Sequence, residues 1–74
     1  MLTSKEVEEI KNTYKVGMRI KLIKMDDIQA PPVGTFGTII GVDDIGSILV
    51  RWNNGSMLHV LIDNDRIEKI DKLE

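Results

Sequence analysis

The stretch "GVDDIGSILVRWNNGS", residues 41–56, holds two Gly-ended reversals nine residues apart, at Gly46 and Gly55, with an alternating run between them. If Asn54-Gly55 formed a two-residue type I′ loop, Trp52 would face Met57 and Val50 would face His59. If Asn53-Asn54-Gly55 forms a three-residue loop, with Gly55 in the left-handed region, the pairs become Trp52–Ser56, Val50–Leu58 and Ile48–Val60. The second register gathers the β-branched and aromatic side chains on one face. A slip of one residue would turn every side chain over, so burial selects the three-residue loop. The same template fits the first reversal: Asp43 opens it, Asp44-Ile45-Gly46 forms the loop, and Gly46 takes positive φ. The pairs predicted there are Val42–Ile48, Ile40–Val50 and Thr38–Trp52. Three strands, over 38–42, 47–52 and 56–62, then form a meander that its Gly bulges curl toward closure.

Upstream, "TSKEVEEIKNTY", residues 3–14, predicts a short helix. Thr3 and Glu6 have capping-box spacing, the early glutamates suit the helix dipole, and Val7, Ile10 and Tyr14 form one apolar stripe. Gly17 ends it. "MRIKLIK", residues 18–24, alternates Ile20 and Leu22 against Arg19 and Lys21 and reads as a strand. Pro31 and Pro32 make residues 25–34 a long loop, and Phe36 falls in a tight turn between Gly34 and Gly37. Ile67 and Ile70 mark a short closing strand. One domain results, with residues 1–15 as helix and 16–74 as the β portion. The sheet's second side, predicted to carry Ile39, Leu49, Met57 and Leu61, is too apolar for water. The helix stripe is its expected cover, with a partner or dimer surface as the alternative.

Composition bounds the function. A chain of 74 residues buries a smaller fraction of its surface than a longer one, and without cysteine it has neither a disulfide nor a thiolate metal site. That suits a reducing cytoplasm, the expected location. A lone histidine, His59, does not make a zinc site, and no run approaches the roughly 20 apolar residues of a membrane span. The expectation is therefore no cofactor, no metal and no membrane partner. The net charge of −2 is not that of a strong polyanion binder, although residues 1–37 hold six Lys/Arg against five Asp/Glu.

The run "GTFGTIIGVDDIGSILVRWNNGS", with "MRIKLIKM" before it and "DNDRIEKI" after it, resembles a family of short bacterial and phage-associated proteins known only as a domain of unknown function. The resemblance covers about residues 16–70. More widely, the pattern is similar to Src-homology-3-like barrels of the KOW and Tudor kind. That resemblance implies a mainly β, α+β fold: a small five-stranded barrel with the short N-terminal helix packed on it. It also implies a binding module with no catalytic residues, encoded by a bacterium, a phage or a mobile element.

Ser47, Ser56 and His59 give no spacing reason to converge, so the two serines read as turn residues and the histidine as a surface group. Asp43 and Asp65 read as turn caps; Asp63-x-Asp65 fails as a calcium loop because Ile67 stands at the third ligand position. Gly34, Gly37, Asp43, Gly46, Asn54 and Gly55 are the expected turn residues. A protein partner is the leading expectation, bound in a groove lined by Phe36, Arg51, Trp52 and Met57 beside the 25–37 loop, with Trp52 itself read first as a partly buried cap on the barrel end rather than a binding hot spot. Nucleic acid is the alternative, held by a basic strip of Arg19, Lys21 and Lys24 with Arg51, and by Phe36 and Trp52 as stacking surfaces. The thin core also admits a homodimer.

Overall fold

The computed structural model describes residues 2–70. Residue 1 of the expected helical segment and residues 71–74 of the expected β portion lie outside the described residues. Five elements follow one another: α1 (Ser4–Thr13), β1 (Arg19–Lys24), β2 (Phe36–Val42), β3 (Ile48–Trp52) and β4 (Arg66–Lys69). The strands form one antiparallel sheet in the order β3-β2-β1-β4.

The helix starts as its capping box dictates. The Thr3 hydroxyl accepts from Glu6 N at 3.1 Å, and Thr3 N donates to Glu6 Oε1 at 2.8 Å. Val7 and Ile10 are buried, and Gly17 turns the chain at φ +91°. A short helix is marginal alone, so its seat matters. That seat is Gly46, where an added Cβ would lie 2.6 Å from Leu2 Cδ1 and 3.4 Å from both Ile10 Cδ1 and Val7 Cγ2. Gly46 thus serves twice: its φ of +91° closes the first reversal, and its bare Cα admits the helix.

Ile10 joins Ile20, Leu22, Ile39, Ile48, Val50, Trp52 and Val60 in the core. The helix therefore covers the same face that the strands bury, not the second face. That corrects the expected cover, and Ile40, Met57 and Leu61 remain exposed. Ile39 also changes sides. The β2–β3 pairs are Val42–Ile48, as expected, then Gly41–Leu49, Ile39–Val50, Thr38–Arg51 and Gly37–Trp52. The predicted Ile40–Val50 and Thr38–Trp52 pairs do not form, because a bulge at Ile40 shifts the register by one. The reason is Gly37. A Cβ there would stand 2.7 Å from Val50 Cγ1 and 2.8 Å from Trp52 Cε3, so only glycine fits against the indole. Gly37 is accordingly not a turn residue but a strand residue inside β2, and Phe36 is the first residue of that strand.

The second reversal keeps its predicted ends and loses its middle. Trp52 N donates to Ser56 O at 3.0 Å, and Ile48 and Val60 exchange two bonds of 2.9 Å. No backbone bond joins Val50 to Leu58 among the described residues, because Leu58 O accepts from the Trp52 indole Nε1 at 3.0 Å. Residues 56–62 therefore make a single bridge rather than a strand. Among the described residues the sheet has four strands and is open, where five strands and a closed barrel were expected.

Candidate functional site

Residues paired across antiparallel strands share a face, so the register itself assembles the outer surface. One row runs Arg51–Thr38–Arg19 across β3, β2 and β1. The next runs Phe36–Lys21–Glu68 across β2, β1 and β4. An irregularity at Ile23 then brings Lys24 opposite Arg66. Five cations from three strands thus lie on one side of the sheet, with Glu68 the acidic residue in these rows. At the usual strand spacing the surface extends about 14 Å from β3 to β4.

Side-chain bonds orient part of it. Arg19 Nη1 donates to Thr38 Oγ1 at 2.8 Å and to Asn53 Oδ1 at 3.4 Å, which leaves further guanidinium N–H groups free. Asn53 N donates to Phe36 O at 2.8 Å, tying the hairpin tip beside the aromatic ring. Phe36 is 43% exposed, unusual for its size, and stands in the row next to the Arg51–Thr38–Arg19 row. Lys24 pairs with Asp26 at 3.6 Å, an exposed contact worth little.

The structure places Arg19, Lys21 and Lys24 of the expected strip and Phe36 and Arg51 of the expected groove on one side of the sheet. It does not bring Trp52 to them: the side chain is 1% exposed and belongs to the core. Trp52 thus keeps its expected inward side and is buried more deeply than a partly buried cap; it neither lines a groove nor offers a stacking face, because its neighbours in the strand, not the ring, reach the outer surface. Met57 is exposed, but it lies on the irregular segment after the hairpin tip, outside the sheet's rows. Arg66 was missed by sequence reasoning. The signal was present, because Arg66 alternates with the inward Ile67, but the closing strand's partner was not legible.

The turn residues act locally. Asp43 Oδ1 accepts from Ile45 N at 3.1 Å and Ser47 N at 2.8 Å, and Asn54 Oδ1 accepts from Ser56 N at 3.0 Å. Gly34 and Gly55 take positive φ. Asp65 Oδ2 caps its turn through Leu61 N at 2.8 Å. Among the described residues, no three His, Asp or Glu side chains are grouped to hold a metal ion, and no helix is long and apolar enough to cross a membrane.

These features define a small, mostly β domain: one helix on the buried face of a sheet, cations on the other. A family described as "Domain of unknown function (DUF4314)" matches residues 3–70, and the chain belongs to it. No curated protein and no solved structure matches the chain.

Proposed function

We propose that this domain is a non-enzymatic binding module whose outer sheet face takes single-stranded nucleic acid. The observation that carries the reading is the common face of Arg19, Lys21, Lys24, Arg51 and Arg66 with half-exposed Phe36 among them, in a chain whose net charge is negative. Cations on neighbouring strands suit a phosphate backbone, and an exposed ring offers any base a stacking platform. Burial of Trp52 takes it from both expected surfaces, the protein groove and the stacking face, while Phe36 and the cations stay together in the sheet's rows and Met57 lies outside them.

The fold reading behind the proposal is a small Src-homology-3-like barrel. The Ile48–Val60 bridge on one edge and the β1–β4 pairing on the other support it, since residues 60–69 then connect the two edges of the sheet. The absence of cysteine and the resemblance to bacterial and phage-associated proteins support action in a reducing bacterial cytoplasm.

Fluorescence anisotropy with labelled oligo-dT and oligo-U, each at two salt concentrations, tests the function. About three phosphate contacts give a log–log salt slope of roughly −2 on single strands. Arg51→Ala makes the slope shallower, and Phe36→Ala weakens binding by about 1–3 kcal/mol, the worth of one stacked base. Absence of binding at low salt, or binding unchanged in both variants, overturns the proposal.

A further inference from the structure

An apolar recess lies between the N-terminal end of the chain's helix and two turns. A groove of about 440 Å³ runs between the 43–47 turn and the 61–64 turn, with Leu2, Ile45, Leu61 and Ile62 in its lining. It adjoins a second recess of about 280 Å³ along α1, and the two share Leu2, Ile62 and Asp63. Folding does not explain all of this apolar surface. The first reversal requires the Asp43 cap and the Gly46 φ, whereas Ile45 is 73% exposed at its tip, and Leu61 is 44% exposed.

The rim has one sign. Asp44 and Asp63 border the larger recess, and Glu6, Glu9 and Asp63 border the smaller. Lys11 pairs with Asp44 at 3.8 Å, and no salt bridge reaches Glu6, Glu9 or Asp63 among the described residues. The walls are one helix and two turns, so no unpaired strand edge is offered and an extended peptide has no ladder to join. A helical segment laying apolar side chains into the recess meets the shape, and lysines or arginines beside those side chains meet the rim.

We propose that this groove docks a basic amphipathic helix of a partner protein, apolar face down, with its cations against Asp44, Asp63, Glu6 and Glu9. The site adjoins the sheet's outer face on one side, where Ile62, Asp63 and Asn64 also line a recess with Lys24 and Arg66. The domain then has two surfaces of opposite preference, one for an anionic ligand and one for a cationic helix.

The test uses the full chain and a labelled synthetic helix with leucines at i, i+3, i+4 and i+7 and lysines elsewhere, read by anisotropy. A peptide with glutamates replacing the lysines is the control. The expected result is saturable binding of the lysine peptide and at least tenfold weaker binding of the glutamate peptide. Ile45→Ser with Leu61→Ser weakens the lysine peptide at least tenfold, and Asp44→Asn with Asp63→Asn weakens it about fivefold and flattens its salt dependence. All four substitutions lie on the surface, and an unchanged amide NMR spectrum away from the groove certifies the fold. Equal binding of the two peptides, or indifference to both double variants, overturns the proposal. Concentration-dependent dimerisation that Ile45→Ser with Leu61→Ser abolishes also overturns it, because the occupant is then a second copy.

Discussion

The two reversals share one template and end differently. Asp43 to Ser47 and Trp52 to Ser56 each close a three-residue loop on a glycine, at φ +91° and +93°. The first joins two strands of one antiparallel ladder interrupted at the Ile40 bulge, while the second leads into two separated contacts and an irregular run. Loop chemistry is therefore enough to set a register and not enough to sustain a strand. What separates them is the indole of Trp52. It takes the Leu58 carbonyl that a ladder would have offered to Val50 N, and a buried indole N–H without a partner would be costly. The first reversal has no such competitor and is buttressed by Leu2, Val7 and Ile10 pressing on Gly46, whereas Gly55 has nothing within 4 Å of its Cβ position.

Substitutions can break this contrast. The largest effect is expected at Gly37→Ala, which forces a methyl into Val50, the indole and the Arg51 carbonyl, 3.2 Å away. It should cost about 3 kcal/mol in a denaturant titration, as overpacking of a rigid site does. Gly46→Ala should cost about 2 kcal/mol, since it adds a steric demand on the helix to the backbone strain, and Gly55→Ala about 1 kcal/mol, since strain acts there alone. Equal losses at the two glycines would show that the helix does not lean on the first reversal. Next comes Asp43→Ala, expected to cost about 1–2 kcal/mol because two N–H groups lose their acceptor, against about half as much for Asn54→Ala with one. The most specific effect belongs to Trp52→Phe. Removing the N–H frees Leu58 O for Val50 N, and hydrogen exchange should then show slower exchange at Val50 even if total stability falls by about 1 kcal/mol.

Much of the cationic face was legible in the chain. Arg19 and Lys21 alternate with Ile20 and Leu22, so their outward direction follows from the strand period of two. Phe36 was legible as an unusual residue but not as part of a strand, because a Thr-Phe-Gly run between glycines carries the local chemistry of a turn. Arg66 escaped because a four-residue strand announces neither its partner nor its side. The inward phase of Trp52 was legible from the strand period, whereas the depth of its burial was not. Its burial depends on a glycine fifteen positions away in sequence and directly opposite in the sheet.

Local sequence determined the helix and its cap, the two three-residue loops, the inward phase of Ile20, Leu22, Ile48 and Val50, and the chain's charges. Each of these depends on interactions within a few residues, where propensity, capping and alternation act without knowledge of the rest of the molecule. The bulge at Ile40, the choice of face covered by the helix, the interrupted second hairpin and the joining of Arg66 to the other cations were decided only in the folded state. They turn on contacts between distant segments: Gly37 under Trp52, Gly46 under α1, the indole on Leu58 O, β4 beside β1. Close packing leaves each of those segments one place to go, and no window of neighbouring residues contains that constraint.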